Sequence, residues 1–301
     1  MSEIIGGQRL SFRNTGAIRI GALLIVCMIS AGLFLMYSSQ NYKIGFPLDD
    51  AWIHQTYARN LIQLKQWVYV PGEVSTGSTS PLWTLLLSVG YWFQQTLPYF
   101  WTYALGILGL FGVALAGERI FAQWNNNGSR ALPLAGLFLA TEWHLIWGAV
   151  SGMETILFAF MILAVFACLV QTRPQYLLAG TLIGVACWVR PDGITLLGPA
   201  FFILILMPIR NKEKLKKGLF LIAGFSVIFG GYLLFNYLLG GAILPNTYFA
   251  KQAEYASLLN QPLWKRFSSL AALPAIGAGS LLIPGFLVAL WKSIKQRDWN
   301  M

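Results

Sequence analysis

The chain has 301 residues, of which 56% are hydrophobic and 11% are charged, and its mean hydropathy is +0.61. A soluble domain carries about 25% charged residues, so this composition excludes an ordinary soluble protein. The net charge of +10 does not predict a nucleic-acid partner. Most Lys and Arg residues stand at the ends of apolar runs, as the positive-inside rule describes for membrane proteins.

Eight apolar runs are predicted to cross a membrane, which takes about 20 residues per helix. They cover approximately 17–37, 99–116, 131–147, 156–170, 176–189, 194–209, 219–239 and 270–291. The first run is interpreted as an uncleaved signal anchor, which keeps the N-terminus in the cytoplasm. The chain is thus predicted to be a single all-α polytopic domain over residues 1–301, with outer loops at 38–98 and 240–269.

Two helices that do not span are predicted inside the first outer loop. The run 81–93 is too short to cross and is placed along the outer surface, because the spanning alternative would put most Lys and Arg residues outside. Residues 51–69 form an amphipathic pattern, with Ile53 and Tyr57 on its apolar side and His54 on its polar side. Such a helix is expected to lie in the membrane interface.

Asp49 and Asp50 open this amphipathic helix. One carboxylate there can serve as an N-cap. Two adjacent carboxylates repel each other, and holding both beside a membrane indicates a general base or a ligand for a divalent cation. No closed metal site is predicted from the sequence. Asp49 is the preferred base, with Asp50 as the alternative.

Arg190 begins an Arg-Pro-Asp-Gly segment at the outer end of a predicted span. Pro-Asp-Gly suits a turn, but Arg can bind a phosphate through two parallel hydrogen bonds or form a salt bridge. Lys251 either supplies a second charge to that phosphate or lies at the interface as a snorkelling side chain. Glu154 either caps the next helix, pairs with Arg190 or orients an acceptor hydroxyl.

Other polar residues of the outer face are candidates for substrate binding: His54, Arg59, Asp192, Asn246 and Tyr248. Glu142 and His144 lie inside an apolar run, and we expect them to face the bundle interior and form an inter-helix hydrogen bond. The sequence contains no GxxxxGK[ST], GxGxxG or HExxH motif. Nucleotide-driven transport and zinc proteolysis therefore lack their usual signatures.

Seven segments occur in an order that resembles a known family. They are FPLDDAWI at 46–53, YARNL at 57–61, GE at 72–73, GSTSPLWTLL at 77–86, SGMET at 151–155, RPDG at 190–193 and PNTYFAK at 245–251. Together they resemble the GT-C membrane glycosyltransferases, most of all the mycobacterial-type arabinofuranosyltransferases. Protein O-mannosyltransferases and lipid A aminoarabinose transferases are more distant relatives. The resemblance covers about residues 20–260.

The resemblance implies a polyprenyl-phosphate sugar donor, generally inverting transfer, and a glycan, lipid or protein acceptor outside the cytoplasm. It also implies that an acidic residue of the first outer loop, here Asp49 or Asp50, is the base. The enzyme would lie in the plasma membrane. Arabinosyl members continue with further spans and an outer C-terminal domain, so a short form, a fragment or a subunit that needs a partner is expected.

Two other functions stay open on the sequence. A transporter or flippase for a lipid-linked or anionic solute would carry charged residues near the membrane midplane and broken helices. The third alternative is an inactive scaffold subunit. The sequence does not identify the sugar or the acceptor.

Overall fold

The computed structural model describes residues 3–94, 96–124, 132–273, 280 and 283–295. In this part of the chain all regular secondary structure is helical, apart from one isolated antiparallel bridge between Val68 and Val74. The helices are α1 Glu3–Asn41, α2 Asp49–Gln63, α3 Pro81–Phe93, α4 Tyr99–Trp124, α5 Leu134–Thr141, α6 Trp143–Val150, α7 Thr155–Leu169, α8 Tyr176–Val189, α9 Leu197–Leu206, α10 Asn211–Gly240, α11 Asn246–Glu254, α12 Ala256–Leu259, α13 Leu263–Ala272 and α14 Ile283–Lys295. A 3₁₀ turn, Pro191–Leu196, precedes α9. The predicted all-α class is confirmed.

Three helices among the described residues are long and apolar enough to cross a membrane. These segments are Gly16–Asn41 of α1, Tyr99–Gln123 of α4 and Asn211–Gly240, which is α10. Other apolar helices, among them α3, α7 and α8, have only 10–17 residues, which is short for a bilayer core of about 30 Å. The eight-span arrangement therefore stays a prediction.

The chain divides into two compact units, Met1–Thr247 and Tyr248–Met301. In the first unit, α8 packs along α10, and α4 packs against α5, α6 and α7. Helices α8 and α10 approach each other closely because Gly180 of α8 and Gly224 of α10 each face the backbone of the opposite helix. A Cβ at either position would collide with a carbonyl oxygen of that helix. Small residues at such contacts are typical of membrane helix pairs.

The two largest apolar cores of the first unit lie among its long helices. One lies between α7, α8, α9 and α10 and is centred on residues such as Ile183 and Leu221, both fully buried. The other joins α1 with α4, α5, α6 and α7 and includes Cys27 and Leu110. Helix α7 contributes to both of these cores, with Val165 in the first and Ile156 in the second.

The predicted span at 131–147 is two helices, α5 and α6, which meet at Glu142. Glu142 Oε2 accepts the Leu145 N–H at 2.9 Å and so caps α6, and Oε1 accepts from His144 Nδ1 at 2.6 Å. The His144 side chain is 50% exposed. The expectation that the pair faces the bundle interior is therefore wrong, because the two residues satisfy each other at the helix break.

The polar residues on one side of helix α2 are buried inside the protein. His54, Gln55 and Asn60 are only 1%, 2% and 3% exposed. Gln55 donates to Thr102 at 2.8 Å and accepts from Tyr91 at 3.0 Å, so its polar atoms find partners inside the protein. The polar side of α2 is therefore buried within the protein, because buried polar groups need hydrogen bonds and the neighbouring segments supply them.

In the second unit, α12 and α13 contain no buried residue. Of the predicted span 270–291, the structure describes the end of α13, at Ala272, and the part from Ile283 onwards, which belongs to α14. Residues 274–279 and 281–282 of that predicted span lie outside the described residues.

Candidate functional site

Glu154 is the centre of a buried charged cluster in the first unit. It lies in the turn between α6 and α7 and is 2% exposed. Its Oε1 accepts a hydrogen bond from Arg190 Nη1 at 3.0 Å, and its Oε2 lies 3.3 Å from His54 Nε2. One carboxylate thus joins the start of α2 to the end of α8.

The charge of Glu154 is stabilised by its neighbours. Burial by itself would raise the pKa of this carboxyl. The neighbouring His54, a backbone N–H and the positive charge of Arg190 outweigh burial, so the pKa of the Glu154 carboxyl falls below its ordinary value of 4.5. At neutral pH the cluster therefore holds a buried carboxylate anion.

His54 is oriented by two hydroxyl groups. Its Nδ1 lies 3.0 Å from Ser78 Oγ, which lies 2.7 Å from Thr84 Oγ1. A carboxylate can only accept, so the proton of a neutral His54 belongs on Nε2, towards Glu154, and Nδ1 accepts from Ser78. The 3.3 Å contact lacks hydrogen-bond geometry, and both buried atoms, Nε2 and Oε2, have no hydrogen-bond partner within the described part of the chain.

Arg190 bridges a buried and an exposed carboxylate. Besides Glu154, its Nη2 donates to Asp192 Oδ2 at 3.2 Å, and the Phe158 ring lies 5.8 Å below the guanidinium. The Arg190 and Asp192 side chains are 32% and 63% exposed. Phosphate binding and a salt bridge were the two alternatives for Arg190, and the salt bridge is present in the structure. Its exposed half, with Asp192, is the weaker one, because a solvated pair contributes only about 0–1 kcal/mol.

The turn that carries Glu154 is shaped by Gly152. This glycine has φ +78°, and the Phe46 ring occupies the place where a Cβ would project. Its carbonyl accepts the Trp83 indole N–H at 3.0 Å. Phe46 also packs on Met153. The segment just before the acidic pair is therefore fixed to the turn that holds Glu154.

Asp49 and Asp50 are the first two residues of α2, and both are exposed. The Asp50 N–H donates to Asp49 Oδ1 at 3.0 Å. Neither carboxylate has an ion-pair partner among the residues that the structure describes. Because positions i and i+4 share a helix face, Asp50 lies on the face of His54, one turn nearer the helix start. Asp49 lies on the adjacent face, with Trp52.

A second face of α2 borders a cavity of about 230 Å³. Its lining includes Trp52, Thr56, Arg59 and Tyr91. Arg59 is exposed, and its guanidinium contacts the Asn60 side chain at 3.2 Å rather than a carboxylate. The cavity combines an aromatic surface with hydrogen-bond donors, which suits a polar, ring-shaped ligand.

The remaining predicted site residues fall into both units. The Asn246 N–H, in the first unit, donates to Thr76 Oγ1 at 2.9 Å, which ties the chain after α10 to the loop before α3. Tyr248 and Lys251 belong to the second unit, where both are exposed. No group of three or more His, Cys, Asp or Glu side chains able to hold a metal occurs among the described residues.

Comparison with protein-family models, curated proteins and solved structures finds no match. The family resemblance therefore rests on the sequence motifs alone and stays a prediction.

The residues of the Gly77–Thr84 segment that support the Glu154 cluster were not predicted as site residues. Ser78 and Thr84 orient His54, and the Ser80 hydroxyl donates to the Val189 carbonyl at the end of α8. Three consecutive hydroxyl residues, Ser78, Thr79 and Ser80, directly before an apolar helix are the available signal, since such groups need buried partners when they cannot face water. The pattern predicts a turn equally well, so contacts between distant segments were needed to assign it.

Proposed function

We propose that this protein is a membrane glycosyltransferase of the GT-C type. It moves a sugar from a polyprenyl-phosphate donor to an acceptor hydroxyl outside the cytoplasm, with inversion. One observation carries the proposal: separate segments of the resemblance meet at Glu154. His54 contacts Glu154 and Ser78, Arg190 contacts Glu154, and Phe46 covers Gly152.

A multi-pass position in the plasma membrane is part of the proposal. The three long apolar helices support it, as do the shorter apolar helices that pack between them. In that arrangement the reversals at Glu154 and Arg190 share the end of the bundle that carries the start of α2, since their side chains are in contact. All reacting groups would then face one side of the membrane.

The chemical step requires a base for the acceptor hydroxyl. An acidic residue at the start of α2 removes the hydroxyl proton while the oxygen attacks the anomeric carbon. The anomeric C–O bond to the phosphate breaks on the opposite side, and polyprenyl phosphate leaves with the electron pair through an oxocarbenium-like state. We assign the base to Asp50, since it shares the helix face of His54, and Asp49 is the alternative.

Arg190 can stabilise the leaving phosphate by releasing the Asp192 carboxylate and binding the phosphate in its place. A phosphate oxygen replaces the exposed Asp192 at Nη2, while Glu154 keeps Nη1 and holds the guanidinium in place. This exchange costs little because the Arg190–Asp192 pair is solvated. Negative charge that builds on the leaving group is then met by a fixed guanidinium.

The cavity beside Arg59 is proposed to receive the acceptor. Trp52 offers an aromatic face for a sugar ring, and Arg59 and Thr56 offer hydrogen-bond groups. The acceptor is a glycan, lipid or protein with a free hydroxyl. Asn246, which follows α10 and is tied to Thr76, is proposed to contact the substrates.

The experiment uses the full chain in lipid nanodiscs with a panel of labelled polyprenyl-phosphate pentoses and hexoses and added cell-envelope acceptors. Release of polyprenyl phosphate together with a labelled acceptor supports the proposal. Asp49→Asn and Asp50→Asn are compared with Glu73→Gln, an exposed acidic residue of the same loop that forms no ion pair among the described residues. Full transfer by both Asn variants would end the base assignment.

One observation favours transport as a second candidate. The break between α5 and α6 carries the Glu142–His144 pair inside an otherwise apolar stretch, and transporters use broken helices with polar groups in this way. Movement of the labelled lipid across the bilayer without cleavage of the sugar–phosphate bond would identify a transporter. Neither movement nor cleavage would identify a scaffold or a missing partner subunit.

A further inference from the structure

A cavity of about 570 Å³ lies between the first turn of α8 and the first three turns of α10, within the first unit. Its volume falls in the range of about 300–1,000 Å³ that ligand pockets occupy. Arg190 follows the opposite end of α8, so the cavity lies about 20 Å from Arg190 along the axis of this helix. It is therefore separate from the candidate catalytic site.

Two lysines line the α10 side of this cavity. Lys216 is exposed, and the ammonium group of Lys217 lies 5.7 Å from the centre of the Tyr176 ring. Neither lysine forms an ion pair among the described residues. Lys214 of the same helix, by contrast, donates to the Ile205 carbonyl at 2.5 Å. The cavity thus offers two ammonium groups that contact no carboxylate, and the Tyr176 ring stabilises the position of one of them.

One carboxylate lines the same cavity. Glu213 lies one helical turn before Lys217 and forms no ion pair in the part of the chain that the structure describes. Two lysines and one glutamate give the lining a net charge of +1. The seven residues that begin α10, 211–217, contain four lysines and one glutamate. The charge around the cavity therefore favours an anion over a cation.

The length of α10 indicates where this charge lies in a membrane. The helix is one of the candidate spans, and no charged residue follows Lys217 in it. Its uncharged part, residues 218–240, is about 35 Å long, close to the bilayer core of about 30 Å. Lys216 and Lys217 therefore lie at the edge of the core, at the level of the lipid head groups.

The rest of the lining is apolar and exposed. Leu177, Leu178 and Phe220 are 53%, 43% and 46% exposed. The acyl chains of a phospholipid would cover these side chains, and burial of apolar surface favours such a contact. A free phosphate ion would leave them uncovered. The combination of exposed apolar walls and two ammonium groups therefore fits a lipid rather than a small anion.

We propose that this cavity binds one anionic phospholipid, with its phosphate at Lys216 and Lys217 and its acyl chains against Leu178 and Phe220. Basic groups beside a membrane span attract anionic lipids in this way. The bound lipid joins the start of α8 to the start of α10. The proposal requires the membrane position of α10 but no sugar transfer, so it goes beyond the proposed function.

The test measures binding of dioleoylphosphatidylglycerol to the detergent-purified full chain by native mass spectrometry. The double variant K216Q/K217Q removes both positive charges of the cavity. Its matched control is K43Q/K65Q, which removes two exposed lysines of the first unit that do not line this cavity. We expect the test variant to weaken binding about tenfold and the control to stay within about twofold.

Two further variants test the carboxylate and the apolar wall. Glu213→Gln removes the negative charge and is expected to strengthen binding about threefold. Leu178→Trp fills the apolar wall and is expected to weaken binding about tenfold. Its control is Leu219→Trp, on α10 but outside the cavity lining and 61% exposed, which should leave binding unchanged.

Wild-type affinity in K216Q/K217Q would overturn the proposal. Inorganic phosphate that displaces the lipid with equal affinity would overturn the choice of a lipid, because the acyl chains would then contribute nothing. Equal binding of phosphatidylethanolamine that is lost in Glu213→Gln would overturn the anionic assignment, because the carboxylate would then bind the ammonium of that lipid. Lysine-dependent binding without sugar transfer supports this site and removes the transferase, whereas transfer without lysine-dependent binding keeps the transferase and removes this site.

Discussion

Arg190 Nη1 donates to Glu154 Oε1 at 3.0 Å, although 36 residues separate them along the chain. The contact joins the end of α8 to the turn before α7, and the other oxygen of Glu154 faces His54 of α2. Three separate segments of the chain therefore depend on one carboxylate. This dependence makes the cluster testable for stability as well as for activity.

Glu154→Ala is expected to lower the free energy of unfolding by about 3 kcal/mol. The substitution leaves Arg190 and the buried His54 without their shared partner, and breaking a buried pair is costly. Asp192→Ala removes the exposed half of the network and is expected to cost about 0–1 kcal/mol. Denaturant unfolding in mixed micelles measures both. Equal losses for the two variants would contradict the buried role of Glu154.

Acidification is expected to destabilise the protein through Glu154. Its folded-state pKa lies below the ordinary value of 4.5, so the unfolded chain takes up a proton first as the pH falls. The contribution to stability is complete above about pH 4.5 and is lost as the pH falls through the lowered pKa. Thermal unfolding from pH 7 to pH 3 should show a weaker pH dependence in Glu154→Gln than in wild type. Parallel curves would refute the link.

Asp50→Asn is expected to reduce transfer by about 10²–10⁴-fold, the usual contribution of a general base. Asp49→Asn is expected to have the smaller effect, since Asp49 lies off the His54 face and accepts the Asp50 N–H. Initial rates with the labelled donor decide between them, with Glu73→Gln as control. The reverse order of effects would assign the base to Asp49.

Gly152→Ala is expected to destabilise the protein by about 1–3 kcal/mol, because a non-glycine residue at φ +78° is strained and its Cβ meets the Phe46 ring. Gly148→Ala, in α6, is the matched control: apart from its chain neighbours and the nearby backbone of its own helix, no atom of the described residues lies within 4 Å of the added Cβ. Alanine there is expected to be neutral or stabilising by up to about 1 kcal/mol. The comparison separates strain at the turn from a general effect of replacing glycine.

Cysteine labelling is expected to find Asp49→Cys and Asp192→Cys on the same side of the membrane. The native cysteines Cys27, Cys168 and Cys187 are buried and should give little background. An impermeant maleimide added to intact cells should label both positions, whereas Glu213→Cys, at the start of α10, should react only after permeabilisation. Labelling of positions 49 and 192 from opposite sides would remove the catalytic proposal.

Local patterns predicted the limits of several helices. The run 81–93 is α3 and the run 176–189 is α8, because apolar runs ended by proline or polar residues define a helix without reference to neighbours. The pattern failed at Glu142, where an N-cap divides one apolar run into two helices. The mean hydropathy of a run hardly changes when it contains one polar residue, so it does not reveal the break. A helix cap depends instead on the hydrogen bonds of that residue's side chain.

The candidate site was predictable only in part. The sequence selected Glu154, Arg190 and His54 as unusual polar residues beside apolar runs, and the structure brings these three together. The residue that each of them contacts could not be predicted from sequence spacing, since the contacting residues lie in distant segments of the chain. The burial of the α2 polar side was missed for the same reason: its partners, such as Thr102, come from distant segments.

The Glu154 contacts also set an order for biogenesis. His54 leaves the ribosome long before Glu154, and Glu154 before Arg190, so each nascent intermediate carries a polar group whose partner has not yet been made. Chains grow at about 5–20 residues per second, which leaves seconds during which these groups need water, lipid head groups or a chaperone. A nascent chain halted before residue 190 would therefore be a natural substrate for membrane quality control.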